Sequence, residues 1–457
     1  MTTARSFIHP PFSRVPAKTG IPRHLLLFLC TWCLTASAAD LNTFEWDTSK
    51  GTHVVFYPAM NVPMLDISIA FAAGSAYDGE QFGLSALTTR LLNQGNDGLD
   101  ANQVAEKLAE TGAQYLADNN QDMVILNLKT LTEPHALKTA TDLFATLVGK
   151  PDLKDEPFLH EKKQQLMSIV QAQESPDEVA NQTFFQLLYK AHPYAHPLLG
   201  TKDTVNALSN EAVRHFYHQF FVAQNATLVL IGAISTDAAH QLAERVTAHL
   251  IRGAPPAPIP NAEPLKENVD IEVRFPSSQT MIRLGQLGIT HTDQDYFPLM
   301  VGNYIVGGSS MMSQLTRELR ENRGLTYGVY SQFSPMPGIG PFIISLSTKQ
   351  KQTTLAINLI RATLSAFLKT GPTDQELLAA KQYLTGSFPL SLASNRSIAD
   401  ILIKMAFYHL PKDYLKRYVD HINAVTQADI KRAFQSRIHP DKMLQVTVGK
   451  PQQARTL

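Results

Sequence analysis

Apolar residues recur along this chain of 457 residues in two kinds of pattern. Short runs with little interruption, such as DISIAFA (66–72) and MIRLGQLGI (281–289), predict buried strands. In GLSALTTRLLNQGN (83–96), leucines recur at helical spacing and predict a short amphipathic helix. Strand and helix patterns follow one another with varied spacing, and this order predicts an α+β fold in which sheets are covered by helices.

The composition breaks once, at the proline-rich stretch RGAPPAPIPNAEPLKENVD (252–270). The segments on either side resemble each other. Each has a strand near its start, and each ends in a helix, a turn and a strand, with Asn225 and Asp441 at corresponding turn positions. We therefore predict two homologous domains, residues 40–252 and 271–457, joined by a linker at 253–270. Each domain is expected to be a mostly antiparallel sheet covered by helices.

The first residues have a pattern of their own. Four basic residues and no acidic residue precede the apolar run LLLFLCTWCLT (25–35), which is followed by ASAAD (36–40). This order is typical of a secretory signal peptide, here residues 1–39, with cleavage after Ala38 or Ala39. The apolar run is shorter than the ~20 residues that a membrane span needs. The sequence thus predicts a periplasmic or secreted protein without a membrane span in the mature chain.

Charge and cysteine content exclude several classes of partner and chemistry. The chain has 40 basic and 40 acidic residues, a balance that does not indicate a nucleic-acid partner. Its two cysteines, Cys30 and Cys33, both lie inside the predicted signal peptide. The predicted mature chain therefore has no disulfide, no thiolate nucleophile and no cysteine metal ligand. An exported protein without cysteines favours a bacterial periplasm.

Candidate chemistry concentrates in NYIVGGSSMMSQLTRELRENRGLTYGVYSQF (303–333). We expect a helix ending at Val306, a flexible loop over 307–310, a charged helix bearing Arg320, and a strand starting near Tyr327. An arginine fork and a tyrosine hydroxyl together can hold a peptide carbonyl or stabilise an oxyanion. Taken alone, the two residues favour a structural role, with Arg320 paired to Glu318 or Glu321 and Tyr327 half-buried on a strand.

Four segments in order resemble the pitrilysin/insulinase metallopeptidases, the inverzincins. GGSSMMSQLTRELRENRGLTY (307–327) is similar to their second-domain signature, in which a Gly-Gly loop and an "LRE.RGL.Y" motif precede a strand. FAAGSAYDGEQFGLSALTTRLLNQG (71–95) is similar to the strand, turn and helix that carry the family's zinc site. HPYAHPLLGTKDTV (192–205) and FYHQFFVAQNATLVLIGAI (216–234) resemble two further first-domain elements. Together they span the predicted mature chain.

The resemblance implies a zinc site that has lost its ligands. In the family, this helix carries HxxEH, two histidines that bind zinc and a glutamate that activates water. The corresponding positions here are Ala86, Thr89 and Arg90. The third ligand of the family falls near Val170, with Gln171 or Gln173 as alternatives. None of these residues suits zinc, so no metal or other cofactor is expected in this chain.

In heterodimeric members of the family, one subunit carries HxxEH and the other contributes an arginine and a tyrosine. By this resemblance, the chain is the non-catalytic subunit of a periplasmic zinc metallopeptidase that acts on peptides, with zinc in the partner. Arg320 would hold the substrate backbone, Tyr327 would polarise the scissile carbonyl, and Gly307, Gly308 and Ser309 would help to bind peptide. Arg323 is an alternative, although Arg320 has the family's spacing of seven residues before Tyr327. A non-enzymatic scaffold or a peptide-binding homodimer is the competing interpretation.

Overall fold

The computed structural model describes residues 41–309 and 311–450, so the predicted signal peptide lies outside the described residues. In the first half the helices are α1 (Leu84–Leu91), α2 (Ala101–Glu110), α3 (Pro134–Gly149), α4 (Asp155–Gln173), α5 (Pro176–Tyr189), α6 (Lys202–Ala207), α7 (Asn210–Phe220) and α8 (Thr236–Val246). The strands of that half are β1 (Phe44–Asp47), β2 (His53–Pro58), β3 (Met64–Phe71), β4 (Gly95–Asn96), β5 (Leu99–Asp100), β6 (Gln114–Asn119), β7 (Val124–Leu131) and β8 (Ala226–Gly232).

The second half repeats this mixture of elements. Its helices are α9 (Tyr296–Asn303), α10 (Thr353–Thr370), α11 (Asp374–Ser387), α12 (Asn395–Phe407), α13 (Tyr414–Ala424) and α14 (Gln427–Arg437). Its strands are β9 (Val269–Arg274), β10 (Gln279–Leu287), β11 (Val329–Phe333), β12 (Pro341–Lys349) and β13 (Leu444–Gly449). The strand β9 starts inside the predicted linker, and residues 253–268 contain no helix or strand.

The two sheets share one topology. The first sheet has the order β1-β2-β8-β3-β7-β6 and the second has the order β11-β12-β10-β13-β9. In each sheet one pair of strands is parallel, β2 with β8 and β9 with β13, and the other pairs are antiparallel. Apart from β1, every strand of the first sheet has a counterpart in the second. The prediction of two homologous, mostly antiparallel domains covered by helices is confirmed.

The two halves exchange a helix. Helix α5 of the first half packs on β10 and β13 of the second sheet, and α12 of the second half packs on β3 and β8 of the first sheet. Phe184 and Leu188 of α5 are fully buried with Val446, and Leu402 of α12 is buried with Val229. Each sheet is thus covered on one face by its own helices and on the other by a helix from the opposite half.

Polar contacts also join the two halves. Arg283 of β10 is 4% exposed and donates to Asp177 at 2.6 Å and to Asn181 at 2.7 Å, both on α5. Buried Asp122 accepts hydrogen bonds from the hydroxyls of Tyr194 at 2.6 Å and Tyr408 at 2.9 Å, and so joins the two halves. Burial raises the pKa of Asp122, against these two hydrogen bonds. Such buried groups specify one docking geometry of the halves.

The proline-rich segment lies against both halves. The carbonyl of Pro260 lies 2.7 Å from Nε2 of His192, and the Ala262 amide donates to the Gly338 carbonyl at 3.1 Å. Leu265 is buried in the core beneath α5. Among the described residues, no helix has both the length and the apolar character needed to cross a membrane.

Candidate functional site

Helix α1, predicted to carry the altered zinc motif, begins at a tightly built turn. Gly83 has φ of 93°, and a Cβ atom there would lie 2.5 Å from the carbonyl oxygen of Leu199. The Asp78 carboxylate accepts from the amides of Gly83 and Ser85, each at 2.8 Å. Burial raises the pKa of Asp78 to about 7, although these amides favour the charged form. Asp78 and Gly83 therefore fix the start of α1.

The three motif positions lie together at one cavity of about 430 Å³. Ala86 and Thr89 are buried, and the Thr89 hydroxyl donates to the carbonyl of Ser85 at 2.8 Å. The Arg90 side chain is 36% exposed, and its Nη1 lies 3.7 Å from Oε2 of Glu161. The cavity lies between α1, the strand β6 and helix α4, which carries Glu161.

Helix α4 contributes a residue that differs from the expected one. We predicted the third ligand position near Val170, with Gln171 or Gln173 as alternatives, but all three are exposed. The buried residues of α4 are Phe158, Glu161, Gln165 and Ile169. Val170 is nine residues from Glu161, which is two and a half helical turns and therefore the opposite face. The structure places Glu161 at this cavity instead, so the Val170 prediction is wrong.

These residues do not fit zinc. A catalytic zinc site needs three protein ligands from histidine, cysteine or carboxylate. Ala86 has no donor atom, the Thr89 hydroxyl is already bonded, and Arg90 is a permanent cation. Glu161 alone could act as a ligand. Within residues 41–309 and 311–450, no group of three or more histidine, cysteine, aspartate or glutamate side chains could hold a metal ion.

The glycine-bearing segment of the second domain is a packed turn at its start. Helix α9 continues as a π-helical turn over Tyr304–Gly308, so the helical backbone ends two residues beyond the predicted Val306. Gly307 is buried, and a Cβ atom there would lie 2.5 Å from Oγ of Ser331 in β11. Gly308 is exposed. Only Gly308 of this pair is therefore open to solvent.

Ser309 follows this turn and is buried. Its hydroxyl accepts from the amide of Met312 at 3.2 Å. This bond orders the start of the next segment, which leads to a second π-helical turn over Thr316–Glu321. Peptide binding by Gly307, Gly308 and Ser309 stays a prediction.

The structure distinguishes the two candidate arginines. Arg320 is exposed, and in the described part of the chain its only contact at hydrogen-bond range is Nη1 to Sδ of Met311, at 4.0 Å. Arg323 forms an ion pair with the carboxylate of Glu318 and donates to the Glu318 carbonyl at 3.0 Å. Glu318, which we weighed as a partner for Arg320, is thus bound to Arg323. Arg320 keeps its guanidinium available for another molecule.

Tyr327 lies in the loop before β11, which starts at Val329, two residues later than the predicted start. Its side chain is 87% exposed. Two contacts order this loop: Leu325 is buried, and the Thr326 hydroxyl donates to the Gly328 carbonyl at 2.8 Å. We call the exposed residues of this region the Arg320 face, and they are Met311, Met312, Arg320, Tyr327 and Tyr330. Exposed apolar, aromatic and arginine side chains are typical of binding surfaces.

The predicted residues therefore form two separate groups. Ala86, Thr89 and Arg90 line the first-domain cavity, whereas Arg320 and Tyr327 are not among the residues that line it. Sequence reasoning missed Glu161 and the strand β6 at this cavity. The signal in the sequence is helical spacing, because Glu161 lies on the helix face that the apolar residues Phe158 and Ile169 define.

Comparisons with known proteins agree with this arrangement. Residues 55–202 match the family model described as Insulinase (Peptidase family M16), and residues 207–384 match the Peptidase M16 inactive domain. A crystal structure of a peptidase M16 inactive domain from Pseudomonas fluorescens superposes with a TM-score of 0.87 at 35% identity, covering 90% of this chain and 99% of that one. The chain belongs to the M16, or insulinase, peptidase family, as the motif resemblance indicated.

Two relatives show the range of activity assigned within this group. The non-peptidase homolog YmxG of Helicobacter pylori is 25% identical over 377 residues, which are 81% of this chain and 85% of the relative. The uncharacterized zinc protease YmxG of Bacillus subtilis is 24% identical over 357 residues, which are 77% of this chain and 85% of the relative. With its motif positions occupied by Ala86, Thr89 and Arg90, this chain is a non-catalytic member of the family.

Proposed function

We propose that this chain is the non-catalytic subunit of a heterodimeric zinc metallopeptidase of the periplasm. In this role it presents Arg320 and Tyr327 to the zinc site of a partner subunit that carries HxxEH, and the complex cuts peptides. The observation that carries the proposal is the availability of these two side chains. Both are exposed, and neither is ion-paired within the described residues, whereas the chain's own zinc-motif positions are altered.

The exposure of both residues favours a role outside the fold. A tyrosine that is 87% exposed buries little apolar area and contributes little to stability. An arginine without a carboxylate partner keeps its planar fork for a carbonyl or carboxylate of another molecule. In the complex, Arg320 binds the substrate backbone. Tyr327 donates a hydrogen bond to the oxygen on which charge develops as the carbonyl is attacked.

The surroundings of Arg320 suit contact with a partner or a peptide. Met311 contacts it, Met312 is exposed, and the exposed Tyr330 belongs to β11, which is an edge strand of the second sheet. An edge strand offers unpaired backbone groups to an extended chain. Gly308 is the residue of the glycine pair that is open for this contact.

The test is recovery of the natural complex. The tagged full-length protein is purified under native conditions from its own cell envelope, and co-purifying proteins are identified by mass spectrometry. We expect a stoichiometric partner with HxxEH, together with zinc and peptidase activity that this chain purified alone lacks. A matched preparation with Arg320→Gln and Tyr327→Phe should keep the partner and zinc but lose most of the activity.

The contrary result is equally definite. Recovery of this chain without an HxxEH partner, free of zinc and inactive, would overturn the subunit role. That result would favour a scaffold or a peptide-binding homodimer. Light scattering on the purified chain would then show whether two copies associate.

A further inference from the structure

A second cavity, of about 500 Å³, lies where the two halves and the proline-rich segment meet. The first half contributes residues at the start of β2, before α1 and at the turn into β8, and the second half contributes residues after β10 and at the end of α12. We call it the junction cavity, and its lining includes Tyr77, Pro258, Ile259, His291, Tyr408 and His409. Small-molecule sites commonly have this size and lie between domains.

The lining of the junction cavity is uncharged and rich in rings. None of the described residues that line it is aspartate, glutamate, lysine or arginine. Its aromatic and imidazole rings belong to His53, Tyr77, His291, Phe407, Tyr408 and His409. An ionised ligand would leave water here without meeting an opposite charge, whereas a planar ring packs well against other rings. The lining therefore favours an uncharged aromatic molecule.

Two polar groups of this lining have no partner in the fold. Nε2 of His291 is buried without a hydrogen-bond partner among the described residues. Burial lowers the pKa of His291 to about 4, so its ring is neutral and has one donor and one acceptor nitrogen. Burial also raises the pKa of Tyr77 to about 12, and no described residue accepts from its hydroxyl, which keeps its proton. A ligand hydroxyl suits both groups, because it donates and accepts.

The backbone at the edge of the cavity is strained. His409, which follows α12, has φ of 52°, a value that residues other than glycine rarely adopt. Its side chain is exposed, so burial of the histidine ring does not compensate for this conformation. Strained backbone of this kind is concentrated at ligand-binding sites. The strain is an observation independent of the unpartnered groups, and it lies at the same cavity.

We propose that the junction cavity binds a small, uncharged aromatic molecule that carries a hydroxyl group, with His291 and Tyr77 as its hydrogen-bond partners. The bound molecule contacts both halves and the proline-rich segment, so its binding stabilises their docking. Arg320 and Tyr327 are not among the residues that line this cavity. The inference therefore goes beyond the subunit role and does not depend on it.

Binding of four matched ligands to the purified full chain tests the proposal. The ligands are 2-naphthol, naphthalene without the hydroxyl, the 2-naphthoate anion and the 2-naphthylmethylammonium cation, each titrated at neutral pH through the fluorescence of the shared ring. We expect 2-naphthol to bind about fivefold more tightly than naphthalene, as one neutral hydrogen bond provides. It should bind at least about tenfold more tightly than either ion, and only the neutral ligands should raise the melting temperature.

Two variants remove the hydrogen bonds and keep the rings. His291→Phe and Tyr77→Phe should each reduce the advantage of 2-naphthol over naphthalene and leave the affinity for naphthalene nearly unchanged. His421→Phe is the matched control, because the His421 ring also stacks on an aromatic residue, Phe297, but does not line the cavity. It should change neither affinity. If His291→Phe lowers the melting temperature of the unliganded chain, Tyr77→Phe gives the test alone.

Hydrogen exchange locates the bound molecule. Addition of 2-naphthol should slow exchange both in the proline-rich segment at residues 256–259 and at the end of α12, residues 407–409. Equal affinity for all four ligands, protection confined to other segments, or an unchanged advantage of 2-naphthol in both variants would overturn the proposal. None of these results bears on the recovery of an HxxEH partner, so the two proposals fail separately.

Discussion

Nη1 of Arg90 lies 3.7 Å from Oε2 of Glu161, so a guanidinium–carboxylate contact lies in the cavity lined by the three positions that correspond to the zinc motif. The contact balances the Glu161 charge without a metal, while Asp78 and Gly83 hold the start of α1 independently of it. The first domain thus keeps the helix of the zinc motif, with its start fixed by Asp78 and with Arg90 beside Glu161.

Replacing the two ligand positions should recreate a metal site. In Ala86→His/Arg90→His, two histidines one helical turn apart face the cavity beside Glu161, whose ion-pair partner is removed. We expect this variant to bind zinc with Glu161 as the third ligand. Metal analysis after dialysis and calorimetric titration measure it. Addition of Glu161→Gln should weaken zinc binding by at least about tenfold, given the loss of one of three ligands.

Retention of the same zinc affinity after Glu161→Gln would show that Glu161 is not placed to ligate. The wild-type chain, which has Arg90 in the cavity, serves as the baseline and should bind no zinc at this site.

Tyr327 should act on turnover in the complex with the HxxEH partner. Tyr327→Phe removes one donor to the developing oxyanion, and loss of such a donor lowers kcat by about 10²- to 10³-fold with little change in KM. Steady-state peptide hydrolysis by the reconstituted complex measures both constants. Tyr383→Phe, at an exposed tyrosine on α11, is the control and should retain full turnover.

The two arginines should differ in the same assay. Arg320→Gln should weaken substrate binding, because the guanidinium of Arg320 has no carboxylate partner among the described residues to engage it. Arg323→Gln should leave kinetics near the wild-type values, since Arg323 is paired with Glu318. A larger effect at Arg323 than at Arg320 would reverse the assignment.

The exchange of helices between the halves should be sensitive to Asp177. Asp177→Ala leaves the buried guanidinium of Arg283 with Asn181 as its remaining side-chain acceptor. Because Asp177 is 59% exposed, its loss leaves the buried guanidinium short of one acceptor rather than breaking a fully buried ion pair, and should cost about 1–3 kcal/mol of unfolding free energy. Urea denaturation measures the loss, and hydrogen exchange should rise in α5. Asp413→Asn, in the exposed pair with Arg417, is the control and should cost less than about 1 kcal/mol.

Acid should destabilise the junction of the halves through His291. Its ring stacks on Tyr408 at 3.9 Å, and its Nε2 is buried without a partner among the described residues. Burial lowers the pKa of His291 to about 4, from an ordinary value of 6.5. The neutral ring is favoured in the folded state, so its stabilising effect is complete above pH 6.5 and is lost as the pH falls towards 4.

This dependence is measured as a difference between proteins. The unfolding free energy of the wild type should fall by about 2 kcal/mol more than that of His291→Gln between neutral pH and pH 4, allowing for partial exposure of the ring. His135→Gln, at an exposed position, should retain the wild-type profile. Parallel profiles for the wild type and His291→Gln would contradict the role of His291.

The errors of sequence reasoning share one cause. The sequence predicts the third ligand position near Val170, but the buried face of α4 contains Glu161 instead. It also predicts a helix end at Val306, but a π-helical turn extends the helix to Gly308. Both details depend on which face a segment packs against. The Gly307 backbone lies close to Ser331 of β11, a neighbour that the local sequence does not reveal.

The sequence by itself determined the duplication, the order of strands and helices, and the loss of zinc chemistry, because periodicity and ligand type are properties of neighbouring residues along the chain. Ala86, Thr89 and Arg90 cannot bind zinc in any packing. The tertiary structure alone decided that α5 and α12 are exchanged between the sheets, that Glu161 faces Arg90, and that Glu318 binds Arg323 and leaves Arg320 available. These outcomes rest on contacts between residues far apart in sequence, whose geometry is set by the packing of whole elements.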